Sequence, residues 1–455
     1  MRARADVPRV VVPPLGALLL VGAAIAAPRT ARASGFHVDE QDAAATGRSG
    51  AVIAHATNAS SIYYNPAGMA ELHGLQLQLG GTAVRPTAEF TPAEGGEKTK
   101  ANPDTFVLPQ LFASWRASAQ VALGIGLYSP FGLALDWPAS SPGAGSVRQA
   151  ELHTFFITAA WALNLAQWVP GLSLGAGMDL VPAEVRLTRD IPFGTDVGSA
   201  ALSGSAFGLG GRAGLSYRPS ALPALSLGLT YRSPVLLKFR GDADFDAPPA
   251  YRGSLPPDGG VHTSVTLPQM LIFGVSVAPL PEWDIELDAT WRGWSSYDSL
   301  DVELPDGQVQ SSRRDWKDSY TLRLGTEYTF DKRWSARLGA IWDQTPIPST
   351  TLDFQLPDVN RIDLSAGFGA QITPLIRADV GALYVLPASR TTAMADPLEP
   401  PVKGTFRVDA WVFGLNVGIQ LDVAEAPPLE SDEPEASDDV GASAEPPSLE
   451  ALPQP

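Results

Sequence analysis

The sequence has no cysteine and, after its N-terminus, no long hydrophobic run, and these absences exclude several classes of protein. None of the 455 residues is a cysteine, which excludes a disulfide scaffold, a thiolate metal site and a cysteine nucleophile. After residue 33 no stretch offers about 18 uninterrupted apolar residues, so we expect no membrane-spanning helix there. The five histidines are scattered without ligand spacing, and no phosphate-binding fingerprint is present. We therefore expect no catalytic residue, no metal site and no cofactor.

Positive charge is scarce, above all near the C-terminus. The formal net charge is -17, and the segment 424–455 contains nine acidic residues but neither lysine nor arginine. An acidic balance argues against nucleic acid as a partner. The same segment lacks aromatic residues and cannot bury a core, so we predict that 424–455 is an acidic disordered tail.

The N-terminus predicts a cleaved secretory signal peptide over residues 1–33. Arg2, Arg4 and Arg9 form a basic start, 10–27 is apolar, and an Ala-Arg-Ala cleavage site ends at Ala33. A transmembrane helix is the alternative, but two prolines interrupt the apolar run. An exported chain without a later apolar helix is periplasmic, secreted or an outer-membrane barrel, because only closed barrels cross a bilayer with strands.

Residues 34–73 show neither a strand period nor a helical period. The stretch 60–69 is small, polar and rich in turn signals such as Asn65-Pro66. An irregular N-terminal segment that precedes a long series of strands predicts a hatch, or plug, inside a barrel.

From Gly74 onward, apolar and polar residues alternate in runs of about ten residues, the length of a tilted membrane-crossing strand. In the run 320–330, for example, Leu322 and Leu324 alternate with Thr321, Arg323 and Gly325. We predict an all-β fold, a transmembrane antiparallel barrel of about fourteen strands over 74–423. The predicted strands lie near 74–86, 106–116, 119–128, 151–164, 171–185, 204–218, 224–239, 263–278, 283–295, 316–330, 333–343, 360–371, 374–386 and 403–423.

Aromatic residues at strand ends distinguish this barrel from a soluble β-sandwich, which shares the alternation. Trp283, Trp291, Trp334 and Trp342 lie near strand ends, as in the interfacial girdles of membrane barrels. Short turns such as 330–333 are predicted at the periplasmic end. The longer connections 87–105, 129–150, 240–262, 296–315, 344–359 and 387–402 are predicted to face outward from the cell.

Two features have both an ordinary and a functional interpretation. Ser129-Pro130-Phe131-Gly132 follows a strand, and proline removes a ladder donor, so it is either an ordinary loop start or a break that opens a side portal. Charges predicted to face inward either sit in a wet lumen or meet a carboxylate ligand. These charged residues are Arg186, Lys317, Arg323, Arg337, Asp343 and Arg361.

Several motifs, taken in order, resemble the FadL/TodX family of outer-membrane transporters for long-chain fatty acids and other hydrophobic compounds. The resemblance covers nearly all of the chain after residue 33. It is carried by Gly35-Phe36, Tyr64-Asn65-Pro66-Ala67-Gly68-Met69, Pro130-Phe131-Gly132-Leu133-Ala134, Thr266-Leu267-Pro268, Trp316-Lys317-Asp318-Ser319-Tyr320, Trp342-Asp343-Gln344-Thr345-Pro346-Ile347-Pro348 and Leu356-Pro357-Asp358 with Arg361.

The resemblance implies a fourteen-stranded barrel with an N-terminal hatch, located in the bacterial outer membrane. Ligand would be captured at outer loops, pass to a lumen pocket and leave sideways at a kink in the third strand, without coupled energy. In that scheme Gly35 and Phe36 reach toward the pocket, Asn65, Pro66 and Ala67 abut the kink, and Ser129, Pro130, Phe131 and Gly132 form it. Lys317 and Asp343, and more loosely Arg186, are the carboxylate-binding candidates.

Other functions remain open at this point. The same route could carry aromatic hydrocarbons, and a structural or adhesive surface barrel would need neither an apolar pocket nor a hatch. An outer-membrane lipase is a third hypothesis, since Gly171-Leu172-Ser173-Leu174-Gly175 matches G-x-S-x-G, but this match lies in a predicted strand and lacks triad partners. We expect a monomer whose partners are its hydrophobic ligand and the outer-membrane lipid.

Overall fold

The computed structural model describes residues 35–55, 57–393 and 402–421. The predicted signal peptide (1–33) and acidic tail (424–455) lie outside these described residues. Within them, no helix is long and apolar enough to cross a membrane.

Fourteen strands form a closed antiparallel barrel in the described part of the chain, as the sequence predicts. Each strand is hydrogen-bonded to the next, and the first barrel strand pairs with the last along its whole length. The strands follow one another around the wall in the order Leu75–Pro92, Phe106–Arg116, Val121–Tyr128, Phe156–Asn164, Leu172–Phe193, Asp196–Tyr217, Leu225–Arg232, Met270–Leu280, Trp283–Arg292, Ser319–Phe330, Trp334–Asp343, Arg361–Thr373, Ile376–Thr391 and Gly404–Leu421.

The strands and helices have the following bounds. The strands are β1 (Leu75–Pro92), β2 (Thr99–Lys100), β3 (Phe106–Arg116), β4 (Val121–Tyr128), β5 (Gly132–Asp136), β6 (Gln149–Thr154), β7 (Phe156–Asn164), β8 (Leu172–Phe193), β9 (Asp196–Tyr217), β10 (Leu225–Arg232), β11 (Val235–Asp246), β12 (Gly259–Leu267), β13 (Met270–Leu280), β14 (Trp283–Arg292), β15 (Ser299–Glu303), β16 (Val309–Arg313), β17 (Ser319–Phe330), β18 (Trp334–Asp343), β19 (Arg361–Thr373), β20 (Ile376–Thr391) and β21 (Gly404–Leu421). The helices are α1 (Ala43–Gly47) and α2 (Ser61–Tyr64), with 3-10 turns at Pro66–Glu71, Arg252–Ser254 and Trp294–Ser296.

The alternation in the sequence sets which side chains face lipid. In β17 Leu322 and Leu324 are exposed on the outer face, whereas Thr321 and Arg323 are buried inside the barrel. The apolar outer surface is flanked by aromatic residues at both strand ends, Tyr328 and Trp334 at one and Tyr320 and Trp342 at the other. This pattern is that of a barrel embedded in a bilayer.

The two ends of the barrel differ in their connections. One end has short turns, such as 331–333, and is called the short-turn end. At the opposite, long-loop end, part of the connecting sequence that we expected to be loops forms β-hairpins. These are β5 with β6, β11 with β12 and β15 with β16.

The hatch, residues 35–73, is packed inside the barrel. Its helices are short because turn residues punctuate it: Asp42 caps α1 by accepting the Ala44 N–H at 3.2 Å, and Asn65 caps the 3-10 turn at Pro66. Barrel glycines let the hatch approach the wall. A Cβ added to Gly367 would lie 2.7 Å from the Cα of Gly47, so only glycine fits this contact.

Such glycines form a ring around the hatch, which we call the glycine ring. Its members share one property: a Cβ at any of them would overlap a hatch atom. They are Gly124, Gly175, Gly214, Gly228, Gly274, Gly325, Gly339, Gly367, Gly381 and Gly414. The hatch backbone therefore packs directly on the barrel backbone over much of the circumference.

Candidate functional site

An apolar cavity lies in the lumen at the long-loop end. It contains about 960 Å³ of empty space, part of which is open to solvent. Its wall consists mainly of branched aliphatic and aromatic side chains: Leu133, Leu152, Val185, Leu187, Leu202, Phe239, Val261, Val265, Leu300 and Val302. Such a lining removes hydrocarbon from water, which is worth about 0.8 kcal/mol per CH₂ group.

Phe36 brings the hatch to this cavity. Its ring centre lies 4.8 Å from that of Trp294, 5.8 Å from Trp316 and 6.1 Å from Phe131. The preceding residue must be glycine for two reasons. Gly35 has a φ of +71°, and a Cβ there would lie 2.9 Å from a ring carbon of Trp316. The N-terminal end of the hatch thus forms part of the cavity wall.

Arg314 is a buried cation on the cavity wall. Its Nη1 donates to Asp353 Oδ2 at 2.6 Å, and its Nη2 donates to Gln355 Oε1. These two contacts hold the guanidinium group in a fixed position. Arginine presents planar, paired donors that suit a carboxylate, and Arg314 is the cation among the lining residues of the cavity, which also include the carboxylates of Glu151 and Asp353.

The barrel wall is broken beside the cavity. β4 ends at Tyr128 and β5 begins at Gly132, with Ser129, Pro130 and Phe131 between them. The β3–β4 ladder stops at the Leu111–Leu127 pair, and above it β5 pairs with β6 and not with β3. Proline has no N–H to donate, which is consistent with the ladder ending here.

A cleft follows from this break. It lies between the upper part of β3 and β5, and its lining is Phe106, Val107, Leu108, Pro109, Ser129, Phe131, Gly132, Leu133, Ala134, Leu152, His153, Thr154 and Phe155. Leu133 and Leu152 line both this cleft and the apolar cavity. One layer of side chains therefore separates the lumen cavity from the outer surface.

The N-terminal segment of the hatch pairs with the broken strand. His37 and Phe131 form an antiparallel bridge. The Val38 N–H donates to the Pro130 carbonyl at 2.8 Å, and the Gly132 N–H donates to the Phe36 carbonyl at 3.0 Å. The hatch thus supplies backbone partners at the point where the wall ladder stops.

Gln41 strengthens this contact through its side chain. Its Nε2 donates to the Ser129 carbonyl at 3.0 Å, and its Oε1 accepts the Ser129 N–H at 3.1 Å. The amide is fully buried. Both backbone groups of Ser129 are therefore satisfied by the hatch and not by a neighbouring strand.

Asp39 ties this segment to the barrel wall. Its carboxylate contacts Arg323 and lies 2.5 Å from Arg292 Nη2. Burial alone would raise the pKa of Asp39, but the charges of Arg323, His37 and Arg292 outweigh it and hold that pKa well below its usual range. Burial lowers the pKa of His37 to about 4. His37 is therefore neutral at pH 7, and its 3.3 Å contact with Asp39 is not an ion pair there.

Asp358, in the connection between β18 and β19, holds the first described residue of the hatch. Its Oδ2 accepts the Gly35 N–H at 3.1 Å and the Thr345 hydroxyl, and its Oδ1 accepts the Val359 N–H at 3.1 Å. Burial raises the pKa of Asp358 to about 6, against the opposing charge of Arg361. This carboxyl group therefore titrates between pH 5 and 7.

The structure brings some of the sequence-predicted residues together. Gly35, Phe36 and the kink residues Ser129, Pro130, Phe131 and Gly132 form one contact region. The structure places Asn65, Pro66 and Ala67 elsewhere, against Gly175 and Gly214 of β8 and β9, and not against the kink. There Asn65 Nδ2 donates to the Leu215 carbonyl at 3.0 Å.

The three predicted carboxylate-binding residues lie outside the cavity lining. Arg186 is exposed on the outer face, because its neighbours Val185 and Leu187 face the cavity. Lys317 is exposed as well. Asp343 is buried in an ion cluster, 3.2 Å from Arg361 and 3.8 Å from Arg292.

Sequence reasoning missed Gln41, Arg314 and the glycine ring. The pair Glu40-Gln41 contributes to the family resemblance, but no role for Gln41 followed from it. Arg314 lies in a connection where the strand period gives no direction. The glycines offered a usable signal, because inward-facing positions such as Gly325 fall in phase with Thr321 and Arg323.

A closed barrel with an apolar outer face, an internal hatch and an apolar lumen cavity beside a wall break defines a plugged membrane barrel. Residues 23–420 match the family model for outer membrane protein transport proteins, OMPP1/FadL/TodX. The chain belongs to this family, and it is an outer-membrane protein.

Known relatives agree with this assignment. The chain is 26% identical over 424 residues to the long-chain fatty acid transport protein of Salmonella typhi, which covers 84% of this chain and 93% of the relative. The crystal structure of a Pseudomonas aeruginosa FadL homologue superimposes with a TM-score of 0.77 at 19% identity, covering 85% of this chain and all of the other. The P. putida toluene transporter TodX gives 0.67 at 17%, covering 86% and 100%. At these identities the solved structures support the fold alone.

Proposed function

We propose that this protein takes up long-chain fatty acids passively across the outer membrane and releases them sideways through the cleft between β3 and β5. Ligand enters at the long-loop end, where the apolar cavity strips water from its hydrocarbon tail. Release into lipid exchanges one apolar environment for another, so flow follows the concentration gradient and needs no energy source. Each barrel encloses its own hatch, so it acts as a monomer.

One observation carries this proposal: Leu133 and Leu152 border both the cavity and the cleft. Phe36 lies in the cavity wall, and its backbone pairs with the segment that borders the cleft. A shift of the segment 35–38 would enlarge the cavity and release the kink in one step. We propose that ligand binding drives this shift.

Arg314 favours an acid as the ligand. It lines the cavity, whereas Arg186, Lys317 and Asp343 do not. We propose that the ligand carboxylate pairs with Arg314 while its tail occupies the aliphatic wall. Aromatic hydrocarbons are a second ligand class, favoured by the rings of Phe36, Tyr297 and Trp316 in the cavity wall.

A disulfide staple tests the N-terminal shift. The chain has no cysteine, so a His37→Cys/Phe131→Cys variant contains one designed pair. These residues form a bridge whose neighbouring amides make the ladder bonds, the close type of antiparallel pair, at about 4.5 Å between Cα atoms. That spacing falls in the range of natural disulfides.

Uptake of labelled oleate is measured in cells that lack their own transporter. We expect the oxidised double variant to lose uptake, and a membrane-permeable reductant to restore it. The two single-cysteine variants are the matched controls and should respond to reductant no more than the parent. Full uptake by the oxidised staple would refute the shift. No oleate uptake by a folded parent would refute fatty acid as the substrate, and toluene uptake would then be measured.

A further inference from the structure

A second, smaller cavity lies on the lumen side of the wall break. It contains about 320 Å³ of empty space, against about 960 Å³ in the apolar cavity. Phe131 and Phe156 border it on one side, and Arg212, Arg232 and Tyr63 border it on the other. Phe131 also borders the cleft between β3 and β5, so its ring separates this cavity from the outer surface.

Positive charge exceeds negative charge around this cavity. Arg212 of β9 and Arg232 of β10 lie directly opposite each other in the strand register, and like charges in that position repel. Asp179 is committed to Arg212, with its Oδ1 2.9 Å from Nη2 and 3.1 Å from Nε. Within the described residues no carboxylate lies within ion-pair distance of Arg232.

Arg232 is nonetheless buried, with 7% of its surface exposed. Its Nη2 donates to the Tyr63 carbonyl at 2.8 Å, and its guanidinium carbon lies 4.0 Å above the Tyr63 ring. Its Nε makes no hydrogen bond within the described part of the chain. A buried arginine normally has an anionic partner and satisfied donors, and Arg232 has neither an anionic partner nor a bonded Nε among the described residues.

We propose that Arg232 is an exit-side binding site for the carboxylate group of the transported acid. This inference rests on the proposed fatty acid uptake and adds a second cation on the route after Arg314. An ionised carboxylate passing an apolar cleft has a large desolvation cost. Arg232 offsets this cost at the wall break, while Phe156, Leu267 and Met270 provide apolar surface for the tail.

Access to the site depends on the hatch. The Phe131 ring packs against His37 at 4.7 Å and against Phe36 at 6.1 Å. When the segment 35–38 shifts, Phe131 loses these two neighbours and keeps Phe156 and Trp294, at 6.0 and 6.3 Å, so its ring gains space to turn. The cavity then opens to the cleft. The site is therefore closed in the resting protein and available during release.

The test compares an acid with its neutral analogue. Uptake of labelled oleate and of oleyl alcohol is measured for the parent, Arg232→Gln and Arg232→Lys at equal surface levels. We expect Arg232→Gln to lower oleate uptake about tenfold, because the loss of one charge-assisted hydrogen bond changes an equilibrium constant by about that factor. Oleyl alcohol uptake should stay unchanged. Arg232→Lys keeps the charge and should keep most of the oleate uptake.

The outcomes are separable. Equal losses for both ligands would indicate a structural role for Arg232 and overturn the inference, as would unchanged oleate uptake. A parent that carries oleyl alcohol but not oleate would overturn it while leaving transport intact. A parent that carries neither ligand would overturn the proposed function itself.

A second measurement applies if Arg232→Gln fails to fold. Carboxyl-¹³C oleate is bound to the purified Arg314→Gln protein, in which the cavity cation is absent, and its carboxyl resonance is titrated. A neighbouring arginine should lower the pKa of the bound carboxyl by about one unit or more relative to oleate in detergent. A bound carboxyl that titrates as in detergent would overturn the inference.

Discussion

The hatch consists of two regions that are held by different kinds of partner. The shallow region, 35–42, is bonded through residues 35–38 and Gln41 to segments that are not part of the continuous ladder, namely the kink at Ser129–Gly132 and the connection that contains Asp358. The deep region, 43–71, is bonded to ladder strands. Asp288 of β14 accepts the N–H groups of Val52 and Ile53 at 3.0 and 3.3 Å.

This difference indicates which part of the hatch can move. Partners in a continuous sheet are fixed by ladder bonds on both sides, whereas the kink and the connection can rearrange without breaking the barrel. Asp39, Glu40 and Asp42 are the exceptions in the shallow region. Asp39 contacts Arg292 and Arg323 of the wall. The Glu40 carbonyl accepts the Thr82 hydroxyl and the Gln110 side-chain amide, and the Asp42 carboxylate accepts the Gln78 side-chain amide at 3.0 Å. We infer that the hatch pivots near Asp39, with the deep region as a fixed base.

Disrupting the base should have the largest effect. In Gly339→Val, the new Cβ would lie 2.6 Å from the Arg48 carbonyl carbon, and backbone cannot yield. We expect a loss of about 3 kcal/mol or more and little folded barrel, measured by the heat-dependent shift on gels. Gly132→Ala is the control, since its Cβ would meet only the Leu152 carbonyl at 3.5 Å. Normal folding of Gly339→Val would contradict close backbone packing.

Removing one hydrogen-bond acceptor of the deep region should weaken that region without introducing a steric clash. Asp288→Ala leaves the buried Val52 and Ile53 amides without their acceptor, at a cost of about 2–3 kcal/mol. Hydrogen exchange at these two amides should accelerate, while exchange in the shallow region stays unchanged. The exposed Asp244 of β11 provides the control substitution Asp244→Ala. Equal acceleration in both regions would mean that the hatch opens as one unit.

Removing the Gln41 side chain should loosen the shallow region and leave the deep region unchanged. Gln41→Ala loses the two side-chain bonds to Ser129, worth about 1–2 kcal/mol together. We expect faster hydrogen exchange at residues 36–41, unchanged exchange at Val52 and Ile53, and oleate uptake at least equal to that of the parent. If Gln41→Ala lost as much uptake as the oxidised His37→Cys/Phe131→Cys variant, the bonds between Gln41 and Ser129 would promote transport and not restrain it.

The smallest effect concerns pH. The pKa of Asp358 is raised to about 6 in the folded protein, so its contribution to stability is present at low pH and is lost as pH rises through 6. Between pH 5 and pH 7 the parent should lose about 1 kcal/mol relative to Asp358→Asn. Thermal unfolding at both pH values measures this difference. A constant difference between the two proteins would contradict the buried, titrating carboxyl.

The sequence predicted every barrel strand because lipid outside and a packed lumen inside impose a period of two. At Pro130 the sequence left open a loop start or a break in the wall, and in the structure β4 ends at Tyr128 and β5 begins at Gly132. Three interruptions were missed, at Phe155, at Pro268–Gln269 and at Ser233–Pro234. Single strands over 151–164, 263–278 and 224–239 were expected there, and the structure has β6 with β7, β12 with β13 and β10 with β11. Apolar residues continue at odd positions through Ser233–Pro234, but Leu229 faces lipid and Leu237 faces the lumen.

A change in which face is apolar, like that between β10 and β11, also explains why Arg186 lies outside the cavity. A rule that places apolar residues outward and charged residues inward holds at the level of the hatch, where the lumen is polar. At the level of the cavity the lumen is apolar, so Val185 and Leu187 face inward and Arg186 faces outward. Nothing in the local sequence of β8 marks the residue at which the inward face changes from polar to apolar.

The glycine ring also bears on how the protein assembles. Glycine weakens a strand, since it adds conformational entropy to the unfolded chain and offers no side chain to its neighbours. A sheet with glycines at one level of most of its strands is therefore least stable where the hatch would touch it. Barrel closure and hatch docking are then coupled in a single cooperative event, and deleting the hatch should yield an unstable barrel instead of an open pore.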